Sequence, residues 1–266
     1  MNEITSKHIE SMNKTFVTEI KESAQYATVY NAKSIKPRLH LHKQLSQQTL
    51  FPADMLTILS FLYQYQDRDK RVAIVNATSP CAPSQDYIDG KDSFETSLCK
   101  ISTLYNVLQQ ALDAHAIDNN YYQKNKSKNG LYTNIALYTP NIIFPYYAEN
   151  ISADVINCTA PDYNMFLDSG HFSENKNYQA IKSRLKFIRN IAEDHHVDTL
   201  ILGAYGCSLF GQDATVVSKL CAEVFRHSTI PTIIYAIPNA GYDFAAYSKH
   251  FISPEDPTEF DTSELE

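Results

Sequence analysis

The segment Gly203-Ala204-Tyr205-Gly206-Cys207-Ser208-Leu209-Phe210-Gly211 holds three of the chain's seven glycines. It follows the apolar run Leu200-Ile201-Leu202 and precedes a helical pattern. Clustered glycines allow positive φ and close backbone approach to a ligand, and amides at a helix N-terminus can face an anion. The segment matches neither G-x-G-x-x-G nor a P-loop, and no lysine follows to grip a phosphate. An anion cradle and an ordinary strand-to-helix turn both fit. Cys207 offers a thiol within it, as nucleophile or as packing.

A second chemical segment runs from Asn76 to Cys99 and carries Asp86, Asp89, Asp92 and Glu95. Carboxylates in a loop over a cleft can act as general acid or base, or hold ribose hydroxyls. Turn and cap chemistry also explains them: Asp89-Gly90 suits a turn, and Asp92 or Ser93 suits a helix cap. His195-His196 ends a helix, where cations favour the dipole, and no third ligand is in register for a metal. No metal site is expected. Tyr235 and Asn239 follow or close the last apolar run, as contacts to a base or as a strand end.

These residues need elements to position them. Ala53 to Tyr65 has helical spacing, and Val72 to Asn76 is a short buried strand. Ala77 to Asp92 is irregular, and Phe94 to Ala111 resumes a helical period. Apolar runs of strand length recur at Asn134 to Tyr138, Ile142 to Tyr147, Val155 to Ala160, Thr199 to Ala204 and Thr232 to Ile237. Helices are read at Ala180 to His195 and Ala214 to His227. Strands alternating with helices predict an α/β layer fold with a largely parallel central sheet and a ligand at strand carboxyl ends.

The chain has 266 residues, 44% of them hydrophobic, enough for one large core without disulfides or metal. Its five cysteines are odd in number and lack C-x-x-C spacing, which fits a reduced, intracellular protein. No apolar run reaches the length of a signal peptide or a membrane span. The net charge is -7, but the stretch from Ser253 to Glu266 contains Glu255, Asp256, Glu259, Asp261, Glu264 and Glu266 and no base. The nearly neutral body argues against nucleic-acid binding.

The two chemical segments together resemble macrodomains of the microbial type of poly(ADP-ribose) glycohydrolase. That family has a strand ending Asn-Phe-Ala-Ser, a Pro-Gly-Gly-Gly loop, Gln-Glu-Glu, Leu-Cys and Ser-Thr-Leu-Tyr. Here stand Asn76-Ala77-Thr78-Ser79, Leu98-Cys99 and Ser102-Thr103-Leu104-Tyr105 at family spacing. Ala160-Pro161-Asp162 matches Ala-Pro-Asn, and the glycine-rich segment matches Gly-Ala-Trp-Gly-Cys-Gly-Val-Phe-Gly. The chain departs where the three glycines become Ser84-Gln85-Asp86 and Gln-Glu-Glu becomes Phe94-Glu95-Thr96. The family's principal acid, the second glutamate, is a threonine. Some divergent macrodomains of bacterial effectors also lack both motifs and use acidic residues to release single ADP-ribose units from arginine, and this chain looks similar to them.

The resemblance implies a three-layer α/β/α macrodomain with a mixed, largely parallel sheet. Residues 1–50 are expected as a helical extension packed on the core, 51–252 as the macrodomain and 253–266 as a disordered acidic tail. The implied ADP-ribose contacts are Asn76 and Ser79 toward the proximal ribose, Gly203 to Phe210, including Ala204, Tyr205, Gly206, Cys207, Ser208 and Leu209, around the diphosphate and distal ribose, and Tyr235 near the adenine. Asp86, Glu95 and Asp92 are the implied catalytic acids, with no cofactor beyond ADP-ribose as ligand or product. The expected function is a mono-ADP-ribosylhydrolase acting on arginine of a modified protein, and the rival is a binding module without turnover. A monomer is expected, in the cytoplasm or secreted into a host cell; the acidic tail resembles a type IV secretion signal and equally a solubilising tail.

Overall fold

A computed structural model describes residues 3–35, 45–65, 69–80, 83–114, 129–146, 149–238 and 241–252. Cys81, Asn239 and the acidic tail lie outside them. Seven strands form one sheet: β1 (Thr28–Asn31), β2 (Gln47–Phe51), β3 (Val72–Asn76), β4 (Ile135–Tyr146), β5 (Glu149–Cys158), β6 (Thr199–Leu202) and β7 (Thr232–Ala236). Their spatial order is β1-β4-β5-β3-β6-β7-β2. The run from β5 to β2 is parallel, and β4 is antiparallel to both β5 and β1.

The central strands are buried on both faces, which is why they read as continuous apolar runs. Alternation then assigns each side chain to a layer. Ala73, Val75, Leu200, Leu202, Ile233 and Tyr235 enter one core, and Ile74, Ile201, Ile234 and Ala236 enter the other. The first core is covered by α8 (Glu174–Asp194), α9 (Ala214–Phe225) and α10 (Tyr242–Tyr247). The second is covered by α2 (Val17–Gln25), α3 (Met55–Tyr65), α5 (Phe94–Lys100) and α6 (Leu104–Ala114). This is the expected α/β/α layering. Two further short helices, α4 (Gln85–Asp89) and α7 (Tyr163–Asp168), lie in loops beside the site, and α1 (Glu3–Thr15) packs on α2 and α6.

Several elements differ from the sequence reading. The first fifty residues do supply α1 and α2, but they also supply β1 and most of β2, the two edges of the sheet, so a boundary at residue 50 cuts a strand. The two runs expected as separate strands, as far as they are described, fall on the single strand β4 (Ile135–Tyr146), whose register shifts between Thr139 and Ile142. Pro140 has no N–H for the ladder, Asn141 takes φ +53, and its amide is held by Asp154 Oδ1 at 2.8 Å. The helical period of residues 94–111 is broken at Ser102-Thr103. There Ser102 Oγ donates to Leu98 O at 2.6 Å and accepts from Leu104 N–H at 3.2 Å, ending α5 and starting α6. Among the described residues no helix is long and apolar enough to cross a membrane, and no cluster of His, Cys, Asp or Glu could hold a metal ion.

Candidate active site

A cleft of about 490 Å³ opens at the carboxyl ends of β2, β3, β6 and β7. Parallel sheets place ligands at this end because the strand-to-helix loops gather there. Its floor is the glycine-rich turn after β6: Gly203, Ala204, Tyr205, Gly206, Ser208, Leu209 and Phe210 all line it. Two of the turn's glycines are required by geometry. Gly206 has φ +79 and faces Ala160, while Gly211 has φ +67 and a Cβ there would meet the Asn164 amide at 2.5 Å. The turn is tied down by Gln212 N–H to Gly206 O at 3.0 Å and Tyr163 N–H to Phe210 O at 2.8 Å. Tyr205 lines the cleft near its backbone but sends its ring into the core, where its hydroxyl donates to Cys158 O at 2.8 Å.

The opposite wall comes from β3 and the segment before α5. Val75, Ala77, Asp92, Ser93 and Phe94 line it, and Phe94 keeps 36% of its surface exposed. Ser93 caps α5 by accepting from Thr96 N–H at 3.1 Å, and its hydroxyl donates to Thr96 Oγ1. Of the two cap candidates it is therefore Ser93 that caps, which leaves Asp92 facing the cleft. Thr96, at the position of the missing glutamate, is buried in that cap.

Glu95 lies behind this wall, 1% exposed. Thr78 Oγ1 donates to it, Ser79 N–H donates at 3.3 Å, Asn76 Nδ2 stands at 3.5 Å, and the Ser84 amide adds a further bond. Burial outweighs these donors and pushes its pKa up to about 7, with the Asp86 charge adding to the rise. Asn76 is itself buried; its Nδ2 reaches Asn157 Oδ1 at 3.0 Å, and its Oδ1 has no partner among the described residues.

Other expected site residues sit elsewhere. Asp86 is buried against Lys91 at 3.1 Å, next to Glu95 but off the cleft lining. Burial raises the Cys207 thiol well above its ordinary range, which removes thiolate chemistry at neutral pH, and the residue does not line the cleft. Tyr235 is 0% exposed, stacks on Phe251 at 4.2 Å and donates to Gln48 Oε1 at 2.7 Å. It belongs to the core, because the alternation of β7 turns it under α10. The cleft instead gains Asp54, Met55, Ala236, Ile237, Pro238 and Asp243. Asp54 caps α3 through Thr57 N–H at 2.8 Å, and that cap pattern was visible in the sequence. Its place at a strand end was not, since β2 was read as part of a helical extension.

The sequence model of the microbial-type PARG catalytic domain matches residues 4–145, more than half of the chain. The chain belongs to that family. PARG is a glycosidase-type hydrolase acting on ADP-ribose glycosidic bonds. Among solved structures, the chain is similar to poly(ADP-ribose) glycohydrolase from Thermomonospora curvata, with TM-score 0.78 and 16% identity over 93% of this chain and 98% of that one. It is also similar to the Deinococcus radiodurans enzyme solved with ADP-ribose, with TM-score 0.73 and 17% identity over 87% and 96% of the two chains. No curated protein matches. At these identities the structures establish a shared PARG fold.

Proposed function

We propose that this protein is an ADP-ribosylhydrolase that removes ADP-ribose from a modified protein side chain, with arginine as the linkage. The observation that carries the reading is the junction of the two walls: a glycine-rich floor at the end of β6 faces Asp92, with the high-pKa carboxyl of Glu95 directly behind. In this reading the amides of Gly203 to Gly206 receive the diphosphate and Phe210 packs on a ribose. Breaking the C1–N bond builds positive charge on the ribose, which the Asp92 carboxylate stabilises from the wall. Glu95, behind the wall, holds Asn76, Thr78, Ser79 and Ser84 in place; the guanidinium departs as neutral guanidine, water adds to C1, and the proton that the water gives up restores the guanidinium charge. Asp86 acts through Glu95 by raising its pKa.

Charge supports arginine over a polymer. Asp54, Asp92 and Asp243 stand on the cleft, and among the described residues no lysine or arginine lines it. Such a rim suits a guanidinium leaving group and disfavours the further phosphates of a poly(ADP-ribose) chain. A second reading, ADP-ribose binding without turnover, is favoured by Thr96, whose cap role leaves no carboxylate where the family has its second glutamate.

The test is release of ADP-ribose from arginine-linked and polymeric substrates by the parent protein, Asp92→Asn and Glu95→Gln, with ADP-ribose calorimetry alongside. The expected result is turnover of the arginine linkage, reduced by roughly 10²-fold or more in each variant while binding persists. Faster turnover of polymer than of the arginine linkage would overturn the linkage assignment. Binding without any turnover would establish the second reading, and no binding would remove both.

A further inference from the structure

A dianionic diphosphate on a floor without a lysine or arginine leaves its charge to be balanced from somewhere other than the cleft lining. Arg184, on α8, is 1% exposed, the largest fully buried side chain among the described residues. It has no carboxylate within ion-pair distance among those residues, although an uncompensated buried cation is expensive. Among the described residues its guanidinium is held by neutral acceptors: Nε donates to Asn134 Oδ1 at 2.8 Å and Nη1 donates to Thr159 O.

Those acceptors locate the charge. Asn134 immediately precedes the antiparallel β4 and Thr159 immediately follows β5, so both lie at the sheet end that carries the cleft. Thr159 stands between two residues that touch the glycine-rich turn. Cys158 O accepts from the Tyr205 hydroxyl at 2.8 Å, and Ala160 Cβ lies 3.1 Å from where a Gly206 Cβ would stand. The Arg184 charge is felt at both Tyr205 and Cys158, where it opposes the effect of burial on their ionisation. Salt screens a buried charge much less than an exposed one.

We propose that Arg184 is the buried countercharge of the anion-binding turn: it acts through the peptides of Thr159 and Ala160 to make the Tyr205-Gly206 backbone attractive to the diphosphate, without touching the ligand. The inference rests on the proposed ADP-ribose site and goes beyond it by assigning anion affinity to a positioning residue beneath the cleft. It explains how a site with an acidic rim can take a dianion: the compensating positive charge lies under the floor.

The test is calorimetry of ADP-ribose and of neutral adenosine against the parent protein, Arg184→Gln and Arg184→Lys. Expected is a loss of at least tenfold in ADP-ribose affinity for the glutamine variant, with adenosine affinity unchanged and ADP-ribose affinity largely restored by lysine. Equal weakening of both ligands, or weakening by lysine as severe as by glutamine, would make Arg184 a structural tie only and overturn the proposal. Unchanged ADP-ribose affinity in Arg184→Gln would overturn it too. Should Arg184→Gln fail to fold, Arg184→Lys decides: selective retention of ADP-ribose affinity supports a role for the charge, and its loss refutes one. If the parent protein binds no ADP-ribose, it is the proposed function that fails.

Discussion

Glu95 is an acid whose folded-state pKa, about 7, lies above its ordinary value of 4.5. Between those pH values the folded chain binds the extra proton and the unfolded chain does not, so this group's stabilising effect is lost as pH rises from about 4.5 to 7 and changes no further above that. The change amounts to about 3 kcal/mol at most. Glu95→Gln should therefore remove a falling limb from the stability profile. Urea denaturation of parent and variant at pH 5 and pH 8 checks this: the difference between them must change with pH in that sense, and a constant difference would show that Glu95 does not titrate in the folded state. Asp92 and the glycine-rich floor were legible at this scale because their residue types are scarce or clustered. Tyr235 was misread because Thr232 to Ala236 is apolar throughout, so nothing in its composition says which layer each side chain enters. Asp243 gave no signal, as a lone aspartate in a short polar segment.

At the scale of elements, the loop that departs most from the family's motif has kept the backbone conformation that glycine favours. Ser84 stands where the first of the family's three glycines would be and adopts φ +61, the left-handed region. Gln109 Nε2 on α6 donates to its hydroxyl at 3.3 Å, and Tyr87 on the following turn is clamped by His8 of α1 at 3.0 Å. Neighbouring helices thus hold a strained residue in place. Ser84→Gly should raise stability by up to about 1 kcal/mol, read as a shift in melting temperature, and a marked loss would show that the hydroxyl contact outweighs the strain. Two glycines give a matched pair. Gly90→Ala meets no atom within 4 Å and pays only for its φ of +70, whereas Gly211→Ala also drives a Cβ into Asn164. The Gly211 variant should lose about 1–3 kcal/mol more, and with it ADP-ribose affinity, because the floor must shift. Parity between the two in chemical denaturation would show that Asn164 moves aside freely. Most helices and central strands were legible from period and composition. The edge strands were not, since short, half-exposed β1 and β2 owe their conformation to partners more than a hundred residues away.

Across the whole molecule, ionisation at opposite ends of the sheet acts in opposite directions. His195, at the end of α8, stacks flat on Tyr138 with ring centroids 3.4 Å apart, and its Nε2 meets the Tyr30 hydroxyl at 2.9 Å. Burial lowers its pKa to about 4, against the attraction of Asp194 and aided by Arg71 and His196. The folded chain resists protonation there, so stability falls as pH drops from 6.5 toward 4. In the Glu95→Gln variant this limb should stand out as a clearer rise in stability from pH 4 to 6.5, and its absence would place His195 in solvent. The strand order carries a different consequence. Gln47–Phe51 pairs with Thr232–Ala236, and Leu50 N–H donates to Ile252 O at 3.1 Å. During synthesis β2 must wait for a partner made about 185 residues later, roughly ten to forty seconds at ordinary elongation rates. Leu50 and Phe51 lack their sheet partner for that interval. This sheet cannot be completed from its N-terminus onward, and its closure waits until Thr232–Ala236 has been made.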